Sequence, residues 1–189
     1  MPWATGGARK PHVQRFQPES GDVTVPSFGN PQLGDIYRYW LSKCRDGKPP
    51  RRSDIRPQDL GPDALRQINI LDVVREPGKP LQFRHRLVGT GITEWLSRDA
   101  TGQMVDETLY GADAAKIVAS LSRIVETVQP HHRQSRLDWN DRKYAMMESV
   151  ELPLSDDTHD VAMILRGASY RPVGDTDKLQ QFFEPLPLA

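Results

Sequence analysis

The stretch from Gln82 to Glu107, QFRHRLVGTGITEWLSRDATGQMVDE, limits the fold more than any other part of the chain. It opens as a strand. Phe83, His85 and Leu87 alternate with Arg84, Arg86 and Val88, which is the period of a half-buried strand. Gly89 and Gly91 interrupt it. Ile92 to Leu96 then reads as a short helix, Arg98 to Gly102 as a loop, and Gln103 to Leu109 as a further helical turn. A strand that runs over a glycine hinge into several short helices builds a pocket wall rather than a plain core.

The chain has 189 residues, which fits one domain with tails and a core that needs neither disulfide nor metal. Its 25 basic side chains equal its 25 acidic ones, which argues against a strongly basic nucleic-acid-binding protein. Cys44 is the one cysteine, so there is no internal disulfide, and no Cys–His set has zinc spacing. A reducing cytoplasm fits that usage. No apolar run approaches the roughly 18 residues that a membrane helix needs. Residues 1–30 lack the apolar centre of a secretory signal.

Residues 1–30 carry no period and read as a disordered or loosely docked tail. Order starts at Asn30-Pro31, a cap followed by a first-turn proline. Leu33, Ile36, Tyr37, Trp40, Leu41 and Cys44 form one helical stripe, closed by Gly47 and Pro49-Pro50. This stripe must pack on its own sheet or on a second copy; its pattern does not separate the two. Ile68 to Val74 is a β-branched strand, joined by a turn to the strand at Gln82. Asp113 is placed to cap a long helix striped by Ile117, Val118, Leu121, Ile124 and Val125, and Pro130 ends it. Strands follow at His131 to Trp139, Tyr144 to Leu154 and Val161 to Ala168, with turns at Asn140 to Lys143 and Ser155 to Asp160. Residues 173–189 read as a C-terminal tail without assigned structure. The sum is an α+β fold: a five-stranded antiparallel sheet, with short helices and one long helix on one face, plus an N-terminal amphipathic helix. The domain proper spans residues 31–172.

That element order resembles a PAS domain. Arg86-Leu87-Val88-Gly89-Thr90, followed by Asp99-Ala100-Thr101-Gly102, is similar to the RLVGT and D-x-TG motifs of compact single-domain PAS proteins common in alphaproteobacteria. Trp40 with Gly47-Lys48-Pro49-Pro50 and Asp54-Ile55, and Glu148 with Leu152-Pro153-Leu154-Ser155-Asp156-Asp157, resemble two further family segments. The resemblance runs from about Leu33 to Pro172. It implies a regulatory module that senses a small molecule or a protein partner. The expectation for this chain is a non-enzymatic sensory module that binds a small molecule and signals to a separate protein, as a homodimer. The alternative it leaves is a ligand-free interaction or dimerisation module. Neither nucleic acid nor membrane is expected as a partner.

The resemblance places a ligand between the sheet and the long helix. The expected lining is Phe83, His85 and Leu87 on one strand, Trp95 and Met104 at the mouth, Ile117, Leu121 and Ile124 on the helix, and Met146 or Met147 opposite. Such a lining favours an apolar or aromatic ligand; a filled core is the competing reading. The residues point to no particular cofactor. The long helix lacks the histidine that haem-binding PAS sensors commonly place there, and Cys44 sits far from the cysteine motif of photosensing flavin domains. His85 reads as a core histidine before it reads as a metal ligand. Glu148 shares a face with Met146 and Val150, so it is expected to contact ligand or pair with Arg84, Arg86 or His85. The Asp156-Asp157 turn with Asp160 reads as solvated rather than as a cation site. No G-x-S-x-G elbow, phosphate loop or dinucleotide fingerprint is present.

Overall fold

The computed structural model describes residues 25–137, 145–158, 160–173 and 180–188. The expected tail up to residue 24 and the expected turn at Asn140 to Lys143 lie outside the described residues. The strands are β1 (Ile68–Val74), β2 (Gln82–Val88), β3 (His131–Arg136), β4 (Ala145–Ser155), β5 (Val161–Pro172) and β6 (Phe182–Pro185). They form one sheet in the order β2-β1-β5-β4-β3-β6, with every neighbouring pair antiparallel. The helices are α1 (Pro31–Lys43), α2 (Pro62–Leu65), α3 (Thr90–Leu96), α4 (Glu107–Tyr110) and α5 (Ala114–Thr127).

Helix α1 forms where its end signals put it. The Asn30 carboxamide accepts the Gln32 N–H at 2.9 Å, and Pro31 supplies a preset φ in the first turn. Its stripe packs on its own sheet: Leu33, Ile36, Tyr37 and Trp40 are fully buried in one cluster with Val150, Leu152, Leu154 and Leu165. Each such side chain contributes on the order of 1.5–3 kcal/mol by leaving water. Gly167 of β5 lets α1 approach, because a Cβ there would lie 2.8 Å from Ile36 Cδ1. The Trp40 indole N–H donates to the Pro153 carbonyl at 2.9 Å, so its one polar group is satisfied in the core.

The opposite face carries α5. Leu121 and Ile124 bury completely against Leu71, Phe83 and Ile164. The sheet therefore has a helix on each side, with the short helices α3 and α4 beside α5. Gly89 makes the turn from β2 into α3. A Cβ there would sit 2.4 Å from the Arg66 carbonyl oxygen, so no larger residue fits without moving backbone.

The α+β class holds, and four local expectations change. The sheet is wider by β6, formed by Phe182-Phe183-Glu184-Pro185 within the segment read as a tail. Strand β5 continues past Ala168 to Pro172. Residues 102–105 run alongside β2, with the His85 N–H donating to the Gln103 carbonyl at 2.9 Å; helix returns only at Glu107. Asp113 does not cap α5 with its side chain; its carboxylate pairs with Lys116 at 3.2 Å instead.

Candidate functional site

Two apolar clusters lie on the α5 side of the sheet. One is the core of Leu71, Phe83, Leu121 and Ile124; the other gathers Trp95, Leu96 and Tyr170 around Leu137, Ala145 and Met147. Between them is a cavity of about 150 Å³. Its floor is the sheet: Asn69, His85, Arg133, Met147, Arg166 and Tyr170. Ile92 and Leu96 of α3 and Ile117 of α5 supply its apolar roof, and Arg98, Tyr110 and Lys116 its polar rim.

The floor owes its charge to strand register. The β4–β5 pairing sets Glu151 directly opposite Arg166. Arg166 Nη2 lies 2.8 Å from Glu151 Oε1, and Arg133 Nη2 of β3 lies 3.2 Å from Oε2. Glu151 is fully buried. Burial alone pushes its carboxyl toward the neutral form, but the two guanidinium groups outweigh this and hold it below the ordinary carboxylate value. Two cations thus share one anion. Among the described residues, the Nε–H groups of Arg133 and Arg166 are buried and have no acceptor.

His85 is 1% exposed at the inner edge of the same floor. Its Nε2 lies 2.8 Å from the Tyr110 hydroxyl, and its Nδ1 lies 3.1 Å and 3.2 Å from the two polar atoms of the Asn69 carboxamide. A neutral ring satisfies both neighbours, donating at one nitrogen and accepting at the other. Burial, then the nearby charges of Arg166 and Arg98, push its pKa down to about 4, so it is uncharged at neutral pH. Arg98 lies over the Tyr110 ring, 5.8 Å from its centroid, and donates to the Leu109 carbonyl at 2.9 Å.

Among the residues expected at the site, the cavity brings together His85, Ile117 and Met147, the last in place of its alternative Met146. Phe83, Leu121 and Ile124 are fully buried in the adjacent filled core. Leu87 is 45% exposed. The β1–β2 register slips between Ile70 and Leu71, so Arg86 is an extra residue and Leu87 turns to solvent while Val88 takes the inner place. Trp95 stacks outside the cavity on Tyr170, with centroids 5.4 Å apart. Met104 pairs with Arg84 at the edge of β2. Met146 and Glu148 belong to the other face of β4, the one toward α1. There Glu148 takes His132 Nε2 at 3.0 Å and the Gly29 N–H at 3.0 Å, not the expected Arg84, Arg86 or His85. The strand order explains this: β1 and β5 separate β2 from β4. Arg84 and Arg86 pair with Asp72 instead, at 2.8 Å and 3.4 Å. Among the described residues, no group of three or more His, Cys, Asp and Glu is placed to hold a metal.

A family model described as PAS domain matches residues 29–168, from the start of α1 almost to the end of β5. The chain belongs to the PAS domain family. No curated protein and no solved structure matches it. PAS domains are in general sensory or regulatory modules, and this one keeps its polar cavity on the α5 side of the sheet. No helix among its described residues is long and apolar enough to cross a membrane.

The expectation for the lining missed the arginines. A sequence signal for them exists. Arg166 interrupts the apolar run Val161-Ala162-Met163-Ile164-Leu165, and Glu151 lies between Val150 and Leu152. Opposite charges inside two strands that are otherwise apolar mark a buried cross-strand pair.

Proposed function

We propose that this PAS domain is a non-enzymatic sensor whose input is a small molecule held in the cavity between the sheet floor and helices α3 and α5. Its output goes to a separate protein. The observation that carries the reading is the contrast within one face of the sheet. The region around Phe83, Leu121 and Ile124 is closed, while the neighbouring region keeps an open volume of about 150 Å³ beside buried polar groups. Interiors are close-packed, so a void of this size next to unsatisfied donors is a place for a ligand rather than a packing accident. A ligand there touches β1, β2, β3, β5, α3 and α5 together, and so biases the relative placement of α3 and α5 on the sheet.

The experiment compares the wild-type chain with Ile117→Trp, which fills the roof. Each is dialysed against a small-molecule extract, washed, and analysed by native and denaturing mass spectrometry. Retention of a small molecule by the wild type, and its loss in Ile117→Trp, is the expected result. Equal retention by both, or none by either, overturns the reading.

A further inference from the structure

We infer that the ligand of this cavity is a small organic monocarboxylate, seated with its charged end between Arg133 and Arg166 and its apolar body under α3 and α5. The inference rests on the cavity reading above and adds the chemical class.

Charge is the first argument. Arg133 and Arg166 meet on the cavity floor, and among the described residues Asp113 is the one carboxylate that lines it. Asp113 is engaged by Lys116. Glu151 lies beneath the floor and is shared by Arg133 and Arg166, which leaves a net positive charge on that buried trio. A buried charge excess is costly without a counterion, and an anionic ligand supplies one.

Donor count is the second argument. Arg133 and Arg166 each keep a buried Nε–H with no acceptor among the described residues. Two donors on two guanidinium groups match the two oxygens of one carboxylate, and charge-assisted bonds of this kind are the strong ones. A phosphate group carries more oxygen atoms and more charge than this floor can satisfy, and it would face the aliphatic side chains of Ile92, Leu96 and Ile117. Those side chains favour an apolar body. A cavity of about 150 Å³ is the size that holds a benzene ring in an engineered apolar core. The ligand therefore has on the order of ten non-hydrogen atoms or fewer.

The test uses the full chain at pH 7.5 and isothermal titration calorimetry. The probes are a set of monocarboxylates from butyrate to octanoate together with benzoate, each paired with its neutral amide, and inorganic phosphate. At least one acid is expected to bind about ten- to a hundredfold tighter than its amide and tighter than phosphate. Arg133→Met is expected to remove that preference. If Arg133→Met does not fold, as judged by circular dichroism, Ile117→Trp serves in its place, since it blocks the roof and leaves the floor charges intact. Amides that bind as tightly as their acids overturn the carboxylate assignment and leave the cavity reading standing. Phosphate that outcompetes every acid also overturns it. Acid binding that survives Arg133→Met or Ile117→Trp places the acid elsewhere on the protein and overturns it as well. If no probe binds, the assignment fails. If, in addition, no small molecule is retained from extract, the cavity reading fails with it.

Discussion

His85 shows how burial and hydrogen bonding set the state of one side chain. Its neighbours are Tyr110 from α4, Asn69 from β1, and the charges of Arg166 and Arg98, none of which favours an imidazolium. The pKa falls from 6.5 to about 4 on folding. The unfolded chain then binds more protons than the folded one between those values, so stability falls as pH drops through that window. The loss is on the order of 3 kcal/mol. Urea denaturation at pH 7.5 and pH 4.5 measures it, and His85→Gln is expected to flatten the difference; a variant with the wild-type pH slope would contradict this account. Glu151 acts lower on the scale. Its carboxyl lies below the ordinary value, so its contribution persists above the unfolded-state pKa and is lost only as pH falls through the folded one. At pH 7, Glu151→Gln leaves Arg133 and Arg166 facing each other without their shared anion, which is expected to cost about 3–5 kcal/mol. The exposed Lys79–Glu76 pair is the control, and Glu76→Gln is expected to change stability by less than about 1 kcal/mol. Denaturation midpoints for the two variants decide whether the buried charges are coupled as described.

Helices and strands carry different amounts of information about themselves. Both long helices were legible because their stripes repeat at helical spacing and their ends carry Asn30-Pro31 and Pro130. What a stripe faces was not legible for α1, since the same residues serve a sheet or a second copy; the fold places them on β4 and β5. Strand β6 was hidden because Phe182-Phe183-Glu184-Pro185 is short, ends in proline, and pairs with β3 across some fifty residues of chain. The glycines give an element-scale test. At Gly89 the obstacle is the Arg66 backbone carbonyl at 2.4 Å, whereas at Gly167 it is the tip of the Ile36 side chain at 2.8 Å, which can move. Gly89→Ala is therefore expected to cost about 2–3 kcal/mol, and Gly167→Ala about 1 kcal/mol. Urea midpoints in the reverse order would show that the β2–α3 turn has more room than this geometry allows.

At the scale of the molecule, one sheet separates two different interiors. The α1 side holds a buried apolar core, with Trp40, Leu152 and Leu165 in it. The α5 side pairs a filled core with a charged cavity. The expected lining failed where one register slip turned Leu87 outward and where a face assignment put Met146 and Glu148 toward α1. Both errors are long-range: they depend on which strand lies beside which. The arginine floor has the same origin, since Glu151, Arg133 and Arg166 meet only once β3, β4 and β5 are in register. The C-terminal segment joins the two sides. Phe183 stacks on His131 with centroids 4.3 Å apart and lies under the Arg133 guanidinium at 4.6 Å, while Leu186 is buried in the α1 core and the Tyr37 hydroxyl donates to the Pro187 carbonyl at 2.5 Å. This segment lies beyond the residues matched by the family model, 29–168, yet Phe183 packs on a side chain of the cavity floor. Ending the chain at Val173 should therefore do two separable things. It should lower stability by about 3–5 kcal/mol, because a buried leucine and the ring contacts of Phe183 are lost together. It should also loosen Arg133 and weaken carboxylate binding, whereas Leu186→Ala should lower stability by about 2–3 kcal/mol and leave binding unchanged. Paired denaturation and calorimetry on the two variants distinguish the effects. A shortened chain as stable as the full one would mean that β6 adds no stability to the sheet, and equal binding by both would mean that Phe183 does not position Arg133.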